Sequence, residues 1–191
     1  MDNDIKNLAK KWVLSKTLIE IPQQYYCATQ DVFQARLNNM VKEIIALKKI
    51  NEGAIYMAEA VTGEIGNNSF DHNIGNWPDV AGIFFGYNIN GGVEIVLADR
   101  GRGIMETLRQ VKPEIVNDQE ALRVAFFERI TGRAPEARGN GLKFVRESVK
   151  EGKNHLTFFS GDARAKLNQE FILGAADNKI RGCLAIINFS I

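Results

Sequence analysis

From Asp31 onward, apolar residues recur at spacings of three and four. Phe33, Leu37, Met40, Val41, Ile44 and Ile45 share one side of a predicted helix over 31–49, with Thr29 as its cap. A second helix is predicted over 53–74, turning Ile55, Ala58, Val61 or Thr62, and Ile65 inward. The period then drops to two. GIFFGYNI (82–89) and GVEIVLA (92–98) alternate as strands and meet at Asn90-Gly91, a pair that tolerates the positive φ of a tight hairpin turn. Helical spacing returns over 118–131, with Leu122, Ala125, Phe126 and Ile130 on one face and Asn117 or Asp118 as cap. It returns again from about Gly141, with Leu142, Val145 and Val149. Three short strands follow, at 155–160, 168–173 and 182–191.

Residues 1–24 stand apart as an extension: a short lysine-rich helical pattern, then LIEIP, a candidate edge strand. Residues 25–191 form the expected domain. Helices come early, strands cluster late and the first strand pair is antiparallel. That is an α+β pattern and not a repeated βαβ winding.

Composition narrows the function classes. The 191 residues are 45% hydrophobic, enough for a real core, and 24 basic against 23 acidic residues leave a net charge of +1. Such balance speaks against binding driven by nucleic-acid phosphates. No apolar run reaches the roughly 18–20 residues of a membrane helix. The start, MDNDIKNLAKKW, lacks the layout of a secretion signal, so a cytoplasmic setting is expected, with Cys27 and Cys183 as reduced thiols. Two cysteines so far apart make neither a disulfide framework nor a zinc site.

Three short motifs carry candidate chemistry. On the second helix Glu64, Asn68 and His72 lie four apart and share a face, with Asp71 beside them and Gly63 and Gly66 interrupting the helix. Asn offers a hard amide oxygen suited to Mg²⁺, and a Glu one turn away suits a base toward water. A solvated polar face explains the same row. After strand 92–98 comes Asp99-Arg100-Gly101-Arg102-Gly103-Ile104. A carboxylate there accepts a hydrogen bond from an exocyclic amine such as adenine's, while the glycines admit a ligand closely. An ordinary turn explains that too. Third, Arg138-Gly139-Asn140-Gly141-Leu142 opens an apolar helix, whose free N–H groups suit a phosphate. No P-loop and no G-x-G-x-x-G after a strand is present.

In this order, E-x-x-x-N on a helix, D-x-G-x-G-I after a hairpin and G-x-G-L at a helix start resemble the three nucleotide boxes of the GHKL ATPases. This is the Bergerat-fold superfamily of gyrase, chaperone, histidine-kinase and mismatch-repair ATPase domains. The likeness spans Glu64 to Leu142, with flanking elements from Asp31 to Ile191 in the matching order. It implies a two-layer α/β sandwich with a mixed, mostly antiparallel sheet and helices on one face. It also implies ATP and Mg²⁺ as ligands. Glu64 then matches the general base and Asn68 the Mg²⁺ ligand. Asp99 matches the adenine-reading carboxylate, followed by Gly101, Gly103 and Ile104 close to the nucleotide. Gly139 and Gly141, with Asn140 and Leu142, match the hinge of an ATP lid over about 128–140, where Arg133 and Arg138 are candidate phosphate contacts.

The chain departs from the family pattern in two places. Asp71 stands where many histidine kinases carry Lys or Arg, and Cys183 where relatives often place a Thr near adenine. His72 fits the E-x-x-x-N-x-x-x-H form of anti-sigma-factor kinases. Only two histidines occur, His72 and His155, and neither sits on a dimerisation helix, so a self-contained sensor kinase is not expected. The resemblance therefore implies a stand-alone histidine-kinase-like ATPase domain working with a regulatory protein partner. The alternatives are an anti-sigma-factor-like serine/threonine kinase and an ATP-gated interaction module without turnover.

Overall fold

A computed structural model describes residues 4–17, 19–47, 51–128 and 141–190 of the chain. Helix α1 (Ile5–Leu14) precedes a two-residue strand β1 (Tyr26–Cys27) and the helices α2 (Gln30–Ala46) and α3 (Glu52–Asn73). The hairpin β2 (Ile83–Ile89) and β3 (Val93–Asp99) leads into α4 (Gly103–Arg109), α5 (Asp118–Phe127) and α6 (Gly141–Glu151). Strands β4 (His155–Ser160), β5 (Ala163–Leu167), β6 (Phe171–Ala175) and β7 (Cys183–Phe189) follow. They form one seven-stranded sheet in the order β1-β2-β3-β7-β4-β5-β6. The chain has the α+β fold expected from the hydrophobic pattern, with helices packed on one sheet. Every neighbouring pair in its sheet is antiparallel.

Strand alternation splits the core in two. Ile83, Phe85, Ile95, Leu97, Ala185 and Ile187 turn to the face carrying α2, α3, α5 and α6. Their neighbours Phe84, Val96, Ala98, Leu184 and Ile186 turn the other way, onto Ile5, Ala9, Trp12 and Val13 of α1. One helix thus lies opposite the rest. The apolar residues of α1 recur at helical spacing, and Asp4 caps it by accepting from the Lys6 and Asn7 N–H groups at 3.1 and 3.2 Å. Residues 5–14, part of the stretch expected as an extension, are therefore packed into the body. Strand β7 is apolar on both faces, Leu184 to Ile187 all being buried, which suits its place between β3 and β4.

Thr29 caps α2 through the Val32 N–H at 3.3 Å, and Asn117 caps α5 through the Glu120 N–H at 2.8 Å. Ile45, expected inward, is 48% exposed, because it lies off the Phe33–Leu37–Ile44 stripe. The LIEIP segment is not a strand over 19–22; the sheet edge is Tyr26–Cys27 instead, paired with Phe84 and Ile83. Of the strand expected at 168–173, only 171–173 are strand, the start of β6; 168–170 are the turn before it, and β5 lies where no strand is expected. Helix α4 forms where no helix is expected. Gly66 serves packing, since a Cβ there would overlap the Phe33 ring of α2. Ile130 lies outside the described residues.

Candidate functional site

Sheet register builds the floor of a cleft. Asp99 ends β3 opposite Cys183 of β7, and Cys183 lies opposite Ser160 of β4, so three polar side chains share one cross-strand row. The row faces α3. From that helix Ile65, Asn68, Ser69, His72 and Asn73 look down on it, and Gly103, Ile104 and Thr107 of α4 close one side. Leu142 of α6 and Phe158 of β4 complete a cleft that opens to solvent.

Asp99 is the most constrained polar group in it. The residue is 2% exposed. Its Oδ1 accepts from the Gly101 N–H and its Oδ2 from the Ser69 hydroxyl, both at 2.8 Å. Burial pushes its pKa up to about 6, against the opposing pull of hydrogen bonds from Gly101, Ser69 and Cys183. A carboxylate has about four acceptor sites, so three donors leave room for another. Burial, followed by the Asp99 charge, also holds the Cys183 thiol well above its ordinary range, which keeps it protonated.

Two glycines make this floor possible. Gly182 has φ +64, and a Cβ there would overlap the Asp99 backbone oxygen. Gly103 has φ +77 and sits where a Cβ would come within 3.0 Å of Ser160 Oγ. Ser160 accepts from the Ile104 N–H at 2.9 Å and donates to the Gly182 carbonyl at 3.3 Å, tying the start of α4 to the entry of β7. Asn73 accepts from the Arg102 N–H at 3.0 Å and fills the space in which a Cβ on Gly101 would stand.

One turn along α3, Asn68 Nδ2 donates to Glu64 Oε1 at 3.2 Å. That bond engages the amide nitrogen and does not use the amide oxygen. The first residue of α6, Gly141, packs against this pair so closely that a Cβ would overlap Glu64 Oε1 and come within 2.9 Å of Asn68 Nδ2. A carboxylate, a side-chain amide and the first residue of α6 therefore meet beside the cleft.

The structure thus brings Asn68, Asp99, Gly103, Ile104 and Leu142 into one lining, with Glu64 and Gly141 adjoining it and Gly101 behind Asp99. Arg133, Arg138, Gly139 and Asn140, with nearly all of the expected lid, lie outside the described residues. Among the described residues no group of three His, Cys, Asp or Glu side chains could hold a metal ion, so a cation here would need oxygens from its ligand. Ser69, Asn73, Thr107, Phe158 and Ser160 escaped the sequence reading. Ser69 and Asn73 had a signal, since they lie four apart and border the Asn68 and His72 face; Phe158 and Ser160 had none short of strand register.

No family model matches the chain, and no curated protein matches it. Among the described residues no helix is long and apolar enough to cross a membrane.

Proposed function

We propose that this cleft binds ATP with Mg²⁺ and that the chain is a GHKL-type ATPase domain acting in regulation. The observation that supports the reading is the buried Asp99 carboxylate, with spare acceptor capacity, facing a cleft walled by Ile65, Ile104, Leu142 and Phe158. Apolar walls suit the faces of a purine. An acceptor at their end suits adenine's exocyclic amine and disfavours guanine, which presents an oxygen there.

The remaining residues follow the line of a nucleotide from that end. Gly101 and Gly103 let the backbone approach the base. Asn68 offers its amide oxygen to Mg²⁺ alongside phosphate oxygens, and the N-terminus of α6 at Gly141 offers N–H groups to the phosphates. Glu64, hydrogen-bonded to Asn68, is the group placed to orient a water or a hydroxyl toward the terminal phosphate. Mg²⁺ would supply neutralisation of the phosphate charge. The setting we propose is the cytoplasm, where Cys27 and Cys183, both unpaired, stay reduced. A regulatory protein is the proposed partner.

The test follows the γ-phosphate of labelled ATP at saturating Mg²⁺-ATP, with wild type beside Glu64→Ala. Release by the wild type alone supports an ATPase with Glu64 as its base. Equal release by both discards Glu64. Binding without release leaves a kinase awaiting its protein substrate or a nucleotide-gated binder. No binding removes the proposal.

A further inference from the structure

Arg100 follows Asp99 directly and turns to the opposite side of the sheet. Its side chain is fully buried there, 0% exposed, against Asp79. Each of the three guanidinium nitrogens is engaged. Nε and Nη2 donate to Asp79 Oδ2 at 3.0 and 2.6 Å, while Nη1 donates to the Trp12 carbonyl and, at 3.0 Å, to the Ser15 carbonyl. Trp12 and Ser15 stand at the C-terminal end of α1, where helix carbonyls lack partners and a cation is favoured.

A second strand end joins the same cluster. Arg181 donates its Nη1 to Asp79 Oδ2 at 2.8 Å and its backbone N–H to the Val13 carbonyl at 3.0 Å. The next residue, Gly182, is wedged against Asp99, and Cys183 lies beside it in the cleft floor. The two chain segments that carry Asp99 and Cys183 are therefore both pinned from behind, by α1 and one shared carboxylate. Covering the outer face does not require this, since Val96 and Ala98 of the same strand cover it with apolar side chains. A buried guanidinium must be fully paired to be tolerated and gives little stability for its presence.

We infer that Arg100 and Asp79 are positioning residues for Asp99, and that docking of α1 on one face of the sheet sets ligand binding on the other. The inference takes its ligand from the nucleotide reading above, while the geometry of the cluster stands apart from it. Coupling of this kind is reciprocal: if docked α1 favours the ligand, the ligand must hold α1 down.

The experiment uses the full chain as wild type, Arg100→Lys and Arg181→Gln. The second variant leaves the buried Arg100–Asp79 pair intact and serves if Arg100→Lys fails to fold. Three quantities are read: ATP affinity by calorimetry, hydrogen exchange of the amides of residues 5–14 with and without Mg²⁺-ATP, and the titration midpoint of the Asp99 carboxyl by NMR. Both variants are expected to weaken ATP binding by about fivefold or more. ATP is expected to slow exchange along α1 in the wild type, and the Asp99 midpoint to fall from about 6 toward the ordinary range as water reaches a loosened strand end. A role confined to stability would leave that midpoint in place. Unchanged ATP affinity in folded variants of a protein that binds ATP overturns the inference. If the wild type binds no ATP, the nucleotide reading fails by itself, and the Asp99 midpoint decides: a shift supports the positioning role and no shift overturns it.

Discussion

Ser69 of α3 donates its hydroxyl hydrogen to Asp99 Oδ2 at 2.8 Å, across a sequence separation of 30 residues. The bond locks the carboxylate at a strand end to the helix above it and fixes which lone pairs remain for a ligand. Asp99→Asn keeps the shape but replaces one acceptor by an NH₂ donor. Losing a hydrogen bond to a charged group costs about 1.5–3 kcal/mol, about ten- to a hundredfold in affinity. Calorimetric titration of the variant with ATP is expected to show that loss, and unchanged affinity would remove the adenine role from Asp99.

The same substitution is expected to make the protein more stable at neutral pH. With its folded pKa raised from 3.8 to about 6, Asp99 holds its proton more tightly in the native state than in the unfolded one. Its contribution to stability therefore falls as pH rises through that window and is least favourable above it. The penalty is about 3 kcal/mol at pH 7 and above, two pKa units at about 1.4 kcal/mol each. Urea unfolding at pH 8 is expected to favour Asp99→Asn, with the gap closing toward pH 4. A variant less stable than wild type at pH 8 would mean that the poorer fit of an amide to the donors of Gly101, Ser69 and Cys183 costs more than the buried charge.

Ligand binding is expected to run in the opposite sense. An ionised Asp99 accepts a donor, whereas protonation removes its charge, so ATP affinity is expected to be level above about pH 7 and to fall as pH drops through the Asp99 midpoint. Cys183, beside it, stays protonated throughout, and Asp118, whose carboxyl is also raised by burial, faces Asp162. Affinity measured from pH 5 to 8 in wild type and Asp99→Asn isolates the effect, since the variant is expected to be flat.

Two glycine substitutions are expected to separate fold from function. Among the described residues, the atoms nearest an alanine Cβ at Gly141 are the ends of the Glu64 and Asn68 side chains, which can move. Gly141→Ala is therefore expected to melt near the wild-type temperature while losing phosphate release. An alanine at Gly182 meets the Asp99 backbone, and its φ of +64 adds strain of about 1–3 kcal/mol. Gly182→Ala is expected to melt well below wild type. Thermal melts of both, read beside phosphate release, check the contrast.

Much of this molecule was legible from local pattern. The stripe Phe33, Leu37, Met40, Val41 and Ile44 marked α2 because burial repeats every 3.6 residues whatever the helix packs on. Asn90-Gly91 marked the β2–β3 hairpin because few other pairs accept its turn, and Gly91 indeed has φ +65. Three motifs placed Asn68, Asp99 and Leu142 in order along the chain, and motif spacing survives without knowledge of neighbours.

What the sequence could not carry were the relationships made across the sheet. Ser160 reads as the end of a strand until β7 inserts between β3 and β4 and aligns it with Cys183 and Asp99. Strand order is decided by which apolar faces close together, and one chain offers no period that encodes it. The first 24 residues gave a lysine-rich helix without a role. Only tertiary structure showed that its apolar side covers the outer sheet face and that its last carbonyls receive Arg100. A buried arginine and a solvated one look alike in sequence, because burial of charge depends on partners that folding alone brings within reach.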